Sequence, residues 1–323
     1  MKRELQLICS GDIGSEARER GVDLFATLSV YNFDFWFDGS RAILVLSEEE
    51  PQLAVVSVDG EYAVYASSRN HSCSELEDRL AEALGLREDL SSFYALASRD
   101  PLLRGFAESL KGWRLRSSSL WWALVVGVCQ QNASFRQGWL MLRRIVLSYG
   151  NSATIGSETI PLPPSPRMVL EDPQRLSSAR VGYRASTIER IARAIQNGDI
   201  SEELLESLPP RDAEAVLRRV RGVGSYTARL GMALGLRIYD LPPIDRWVRA
   251  LASRAYSVDE KRVEDEWIRR WGRWSALAVI ALTIALDAEP LRRALERVSK
   301  GDLAPHADAV PTPLNLWRWR PRE

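Results

Sequence analysis

Apolar residues follow two rhythms along this chain. In the first third they form short runs rich in aromatic and β-branched residues, at 24–37, 42–46, 53–58 and 62–66. Asp38-Gly39 and Asp59-Gly60 stand between runs, and Asp-Gly suits tight hairpin turns because glycine accepts positive φ. A small antiparallel sheet is therefore predicted. From Ser74 the spacing changes. Leu76, Leu80, Ala83 and Leu84 recur at three- and four-residue intervals, as on one face of a helix. Beyond Ser117 almost every stretch between turn signals has this period, which predicts helices over 120–131, 135–149, 185–197, 212–220, 225–234, 245–255, 263–271 and 275–287. The prolines from Pro161 to Pro166 predict a loop between two helical groups.

The pattern is α+β: a small N-terminal β-sheet domain over 1–98 and a large helical domain over 99–323. A chain of 323 residues, 46% hydrophobic, has the material for such cores. No apolar run reaches the roughly 20 residues that cross a bilayer. The opening Met1-Lys2-Arg3-Glu4-Leu5 lacks a signal-peptide layout, so a cytoplasmic (nucleoid) or nuclear location is expected, with no membrane partner. Cys9, Cys73 and Cys129 are too few and too scattered for a disulfide framework or a four-thiolate cluster. With His71 and His306 they are taken as ordinary surface or core residues, and no metal site is expected.

A net charge of zero argues at first against a polyanionic partner, but it conceals a split. Residues 1–100 carry 9 Lys/Arg against 19 Asp/Glu, and residues 101–323 carry 34 against 24. An acidic accessory layer beside a basic working domain fits that asymmetry. Only Lys2, Lys111, Lys261 and Lys300 are lysines. The arginines that supply the remaining positive charge suit bidentate phosphate contacts, although a GC-rich genome explains the bias equally well.

The chemistry concentrates after Val220. Gly222-Val223-Gly224-Ser225 lies between two amphipathic helices. The glycines let the backbone turn sharply and approach a ligand, and the free N–H groups of the helix starting near Ser225 favour an anion such as a phosphodiester. Alone, such a turn is most often a helix cap. Asp245 follows Leu241-Pro242-Pro243-Ile244 and opens a further amphipathic helix, where aspartate is a favoured N-cap.

Helix, Gly-hydrophobe-Gly hairpin, helix, Pro-containing loop and aspartate together resemble the helix-hairpin-helix DNA glycosylase superfamily, most of all its 8-oxoguanine and 3-methyladenine glycosylase II branch. The resemblance implies a small TBP-like N-terminal sheet domain, double-stranded DNA with a damaged base as partner, and a monomer. It implies no cofactor beyond at most a monovalent cation at the hairpin. Asp245 would assist cleavage of the base–sugar bond, where a carboxylate can stabilise oxocarbenium character and activate water. Asn132 matches a residue that fills the gap left by the flipped base. Tyr183 matches a wedge in the stack, and Arg184 a reader of the orphaned cytosine. Trp247, two residues beyond Asp245, is the tryptophan singled out for a base pocket; for Trp121, Trp122, Trp139, Trp271 and Trp274 the core is the better expectation. The iron–sulfur branches are disfavoured because no cysteine lies beyond Cys129.

One departure matters. Tyr226 stands where the 8-oxoguanine branch has a catalytic lysine, and a phenol cannot form an imine with the sugar. Val279 and Thr283 likewise replace the glutamine and phenylalanine that grip 8-oxoguanine in that branch. A monofunctional glycosylase is therefore expected. Two alternatives stay open: a bifunctional glycosylase/lyase using another lysine, and a non-catalytic protein that binds damaged DNA.

Overall fold

A computed structural model describes residues 2–33, 36–68, 71–306 and 311–318. Its architecture is α+β. Four antiparallel strands form the main sheet in the spatial order Gln6–Asp12, Glu61–Ala66, Gln52–Ser57, Arg41–Ser47. Gly60 turns the last hairpin at φ +107°. The helix Cys73–Ala83 lays Leu76 and Leu80 against the sheet, in a core with Ala54, Val56 and Val64.

Residues 24–37 do not form the expected strand. They begin as the helix Leu24–Ser29, because Asp23 accepts from Ala26 N and five of the six helical residues are buried. Capping and burial outweigh the β preference of the aromatics, and the end of the run meets the sheet through Phe37, opposite Ala42, and through Trp36 O, which accepts from Ile43 N at 2.9 Å. Residues 34 and 35 of that run lie outside the described residues. Local pattern also missed a second sheet. Lys2–Glu4 pairs in parallel with Ser152–Ile155, which forms a hairpin with Glu158–Pro161. Parallel pairing over such a separation leaves no local signature.

The helices match the periodic segments closely, as in Phe135–Tyr149 and Val263–Trp271. Two of them organise the body. Leu120–Gln130 and Ser225–Leu236 run antiparallel and approach through glycines. A Cβ on Gly127 would lie 3.1 Å from Thr227 O, one on Gly231 2.5 Å from Leu124, and one on Gly235 2.9 Å from the Leu120 Cα. The far end of Ser225–Leu236 is tied to the N-terminal layer by Arg237, which donates to Glu82 O and Ala83 O and pairs with Glu88 at 2.8 Å.

Alanine is a better helix former than glycine by about 1 kcal/mol, but at Gly235 its methyl group meets backbone rather than a yielding side-chain tip. Gly235→Ala is expected to lower the thermal midpoint, because overpacking costs about 1–3 kcal/mol. A circular dichroism melt showing equal or higher stability would contradict the tight contact.

Candidate active site

The hairpin joins Pro210–Arg218 to Ser225–Leu236. Gly222 turns at φ +101°, and a Cβ there would fall 2.2 Å from Thr187 Oγ1. The glycine is thus required by both conformation and space. Val223 is buried as the plug of the turn. Gly224 is the extended N-cap and has no side chain to occupy the N–H groups that follow it at Ser225 and Tyr226. Space around it is open, so the helix end faces outward, as an anion site needs. The carbonyls of Arg221 and Gly222 accept from Arg190 (3.2 Å) and Gln131 (3.1 Å). Two carbonyl oxygens of the hairpin thus each hold a hydrogen bond from a neighbouring side chain.

Arg229, one turn into the second hairpin helix and only 13% exposed in its side chain, links the hairpin to the aspartate loop. It pairs with Glu214 at 3.1 Å and Glu264 at 2.8 Å, and donates to Pro242 O at 3.1 Å. Three residues beyond Pro242, Asp245 caps Arg246–Tyr256 by accepting from Val248 N at 2.8 Å. Asp245 is exposed along the cleft, yet protein crowds the cavity side of its carboxylate. That partial burial raises its pKa above the ordinary aspartate value, against the opposing pull of the Val248 and Trp247 N–H groups.

Beside Asp245 opens a cavity of about 300 Å³, whose walls include Tyr31, Phe135, Tyr226, Trp247, Val279, Thr283 and Glu289. A neighbouring groove of about 700 Å³ adds Gln131, Asn132 and Arg246. Trp247 is held by its Nε1, which donates to Glu289 O at 2.8 Å. Burial, reinforced by Tyr31 and Asp245, raises the Tyr226 phenol well above its ordinary value, so it stays neutral. Thr283 spends its hydroxyl on Val279 O, within its own helix.

The loop bearing Glu289 is set by a buried pair: Arg297 donates to Asp287 Oδ2 at 2.7 Å and to Ala285 O. Asp287 and Ala288 both adopt left-handed backbone, at φ +55° and +50°. Sequence reasoning missed Tyr31, Phe135 and Glu289. Tyr31 sits at φ +56° with its N–H on Pro313 O, inside the segment expected to be a strand. Phe135 had a usable signal: Ser134 and Gln137 form a capping box that fixes where its helix starts.

Asn132 is exposed at φ +46° where Leu120–Gln130 ends, a conformation asparagine tolerates. Tyr183 is 62% exposed, the most open of the large hydrophobic side chains among the described residues. Arg184 stacks on it at 4.6 Å and donates to Val128 O at 3.1 Å and to Gln131 O. Its guanidinium therefore fastens the end of Leu120–Gln130 beneath the tyrosine. Arg144 and Arg180 line the adjoining groove with Asn132 and Arg184. Of the six tryptophans considered, only Trp247 lines the cavity; Trp121, Trp122, Trp139, Trp271 and Trp274 are buried in the core. In the tail, Trp317 packs edge-on against Phe37 at 4.9 Å, while Trp319 and Arg320 lie outside the described residues.

No protein-family model matches the chain. The DNA-3-methyladenine glycosylase of Bacillus subtilis (strain 168) is 30% identical over 174 residues, 53% of this chain and 57% of the relative. The match thus spans little more than half of that relative's length. Among solved structures, the 8-oxoguanine glycosylase/lyase of Clostridium acetobutylicum, in complex with DNA containing cytosine opposite 8-oxoguanine, superposes with a TM-score of 0.63. That match is 19% identical and covers 82% of this chain and 89% of the other. The 3-methyladenine DNA-glycosylase of Archaeoglobus fulgidus gives 0.62 at 20% identity, covering 86% and 96%. The chain has the fold shared by these helix-hairpin-helix DNA glycosylases. Within that class its neighbours divide between 8-oxoguanine and 3-methyladenine enzymes.

Arg229→Ala would leave the buried Glu214 with only the more distant Arg218, at 3.8 Å, and free the Pro242 carbonyl. Removing one partner from such a network costs about 3–5 kcal/mol, and a clear drop in the thermal midpoint is expected. A substitution that melts like the parent protein would show that Arg229 does not hold the loop.

Proposed function

We propose that the chain is a monofunctional DNA glycosylase of base excision repair, hydrolysing the N-glycosidic bond of a damaged base flipped into the cavity. The observation that carries this reading is the Asp245 carboxylate at the edge of an aromatic cavity, fixed by Arg229 to an open helix N-terminus that suits a phosphate. In the mechanism, the hairpin N–H groups hold the backbone. The base enters between Tyr226 and Trp247, and Asp245 supports the developing positive charge on the sugar while orienting the attacking water. The C–N bond breaks towards the base and water adds to the sugar. Its proton passes to Asp245 or to solvent.

No lysine lines the cavity or the groove among the described residues, which supports hydrolysis over imine formation. Aromatic walls together with Asp245 favour a cationic, alkylated base; Glu289 is already paired with Arg293 at 3.2 Å and Arg297 at 3.8 Å, and the arginine of that lining, Arg136, is exposed. Tyr183 serves as the wedge. Asn132 and the part of Arg184 not bonded to Val128 and Gln131 face the orphaned base, for which cytosine is the proposed partner. Release measured with each of the four opposing bases tests this: indifference to the opposing base would remove that assignment.

Asp245→Asn keeps the cap, since asparagine is an equally good N-cap, but removes the carboxylate. Base release from lesion-containing duplexes should fall about 10²–10⁴-fold while duplex binding persists. Unchanged release would leave only the DNA-binding reading. Borohydride trapping of an enzyme–DNA adduct by the parent protein would instead establish the lyase alternative. Because the folded-state pKa of Asp245 is raised, its charge is less favourable in the fold than in the unfolded chain at neutral pH. The variant should therefore melt no lower than the parent. By the same shift, kcat/KM should fall with decreasing pH through a pKa above that of a free aspartate.

A further inference from the structure

Far apart in the sequence, Cys9 and Cys73 meet where the strand Gln6–Asp12 passes under the start of the helix Cys73–Ala83. A register shift between Leu7 and Cys9 interrupts the strand's pairing there. Such bulges re-aim side chains, and this one lies immediately before the buried Cys9. Glu77, one helical turn after Cys73, completes a cluster. Cys73 Sγ lies 3.4 Å from Glu77 Oε1, and the two sulfurs and a carboxylate oxygen are all within 4.8 Å of one another. From these contacts we propose that Cys9, Cys73 and Glu77 form a binding site for a thiophilic, tetrahedral divalent cation, of which zinc is the type.

The dimensions suit such an ion. With Zn–S near 2.3 Å and Zn–O near 2.1 Å, a tetrahedron has ligand–ligand edges of roughly 3.6–3.8 Å, so small side-chain movements bring the three donors into place. Tyr62 donates its hydroxyl to Glu77, the kind of outer partner that orients a ligating carboxylate. Cys73 is exposed, which provides the way in and leaves a fourth position for water. A thiol ligates as the thiolate, so each thiol that binds the cation releases one proton to the buffer. None of the three residues lines the cavity beside Asp245. The bound ion would pin the sheet to its covering helix, independently of the activity proposed above.

Titration of the chelator-treated full chain with Co(II) under reducing conditions tests the site. One equivalent should bind with an intense thiolate-to-cobalt absorption band that Zn(II) bleaches, and Zn(II) should raise the thermal midpoint. Cys73→Ser, at an exposed helix start that serine tolerates, should melt like the parent without metal yet lose the band and the zinc-dependent shift. Glu77→Gln should weaken binding at least tenfold. Absence of the band in the parent, an undiminished band in Cys73→Ser, or a Cys9–Cys73 disulfide in freshly isolated protein would each overturn the assignment.

Discussion

The whole site rests on how closely two helices can approach. Leu120–Gln130 and Ser225–Leu236 touch along Gly127, Gly231 and Gly235, where a single added carbon would meet backbone or a packed leucine. Their antiparallel contact brings the end of one to the beginning of the other. Gln131 can therefore donate at once to Gly222 O and to Thr227 Oγ1. The groups at this corner hang from that contact: the hairpin, Asn132, Tyr226 and the Arg184–Tyr183 stack. Close packing of this kind is unforgiving, since interiors have few voids to absorb displacement.

Charge performs the second act of assembly. Arg229 is the joint between hairpin and aspartate loop, and it is almost closed off from solvent. Buried ion pairs add little stability compared with well-packed apolar groups, so the value of this one lies in geometry: it fixes Pro242, and through it the cap residue. Asp245 itself serves two masters. As a cap it accepts from Val248, and as a carboxylate beside an aromatic cavity it is partly stripped of water. Those demands oppose each other. A carboxylate charge is held where burial alone would favour the neutral side chain.

Much of this was legible in sequence because its signals are local. Helical period located the major helices to within a few residues, Gly222-Val223-Gly224 announced the turn, and Leu241-Pro242-Pro243-Ile244 announced the break before Asp245. What stayed hidden depends on partners distant in the chain. Tyr31 acquires its place from a left-handed backbone and a bond to Pro313. Glu289 gains its meaning from Arg297 and Trp247. The strand at Lys2–Glu4 exists because residues 152–155 are there to receive it. Cys9 and Cys73 looked unrelated because nothing in their spacing indicates that a bulged strand passes under that helix.

The loop from Asp287 to Glu289 forms part of the cavity wall. Two successive residues with side chains sit in left-handed conformations, each costing roughly 1–2 kcal/mol, and Arg297 holds them there from behind. The wall of the cavity is thus a bent spring whose catch lies outside the cavity. Divergence at the catch would change what the cavity admits without altering a single residue that lines it. In this architecture substrate range would be inherited partly through positions that comparisons of pocket residues alone would overlook.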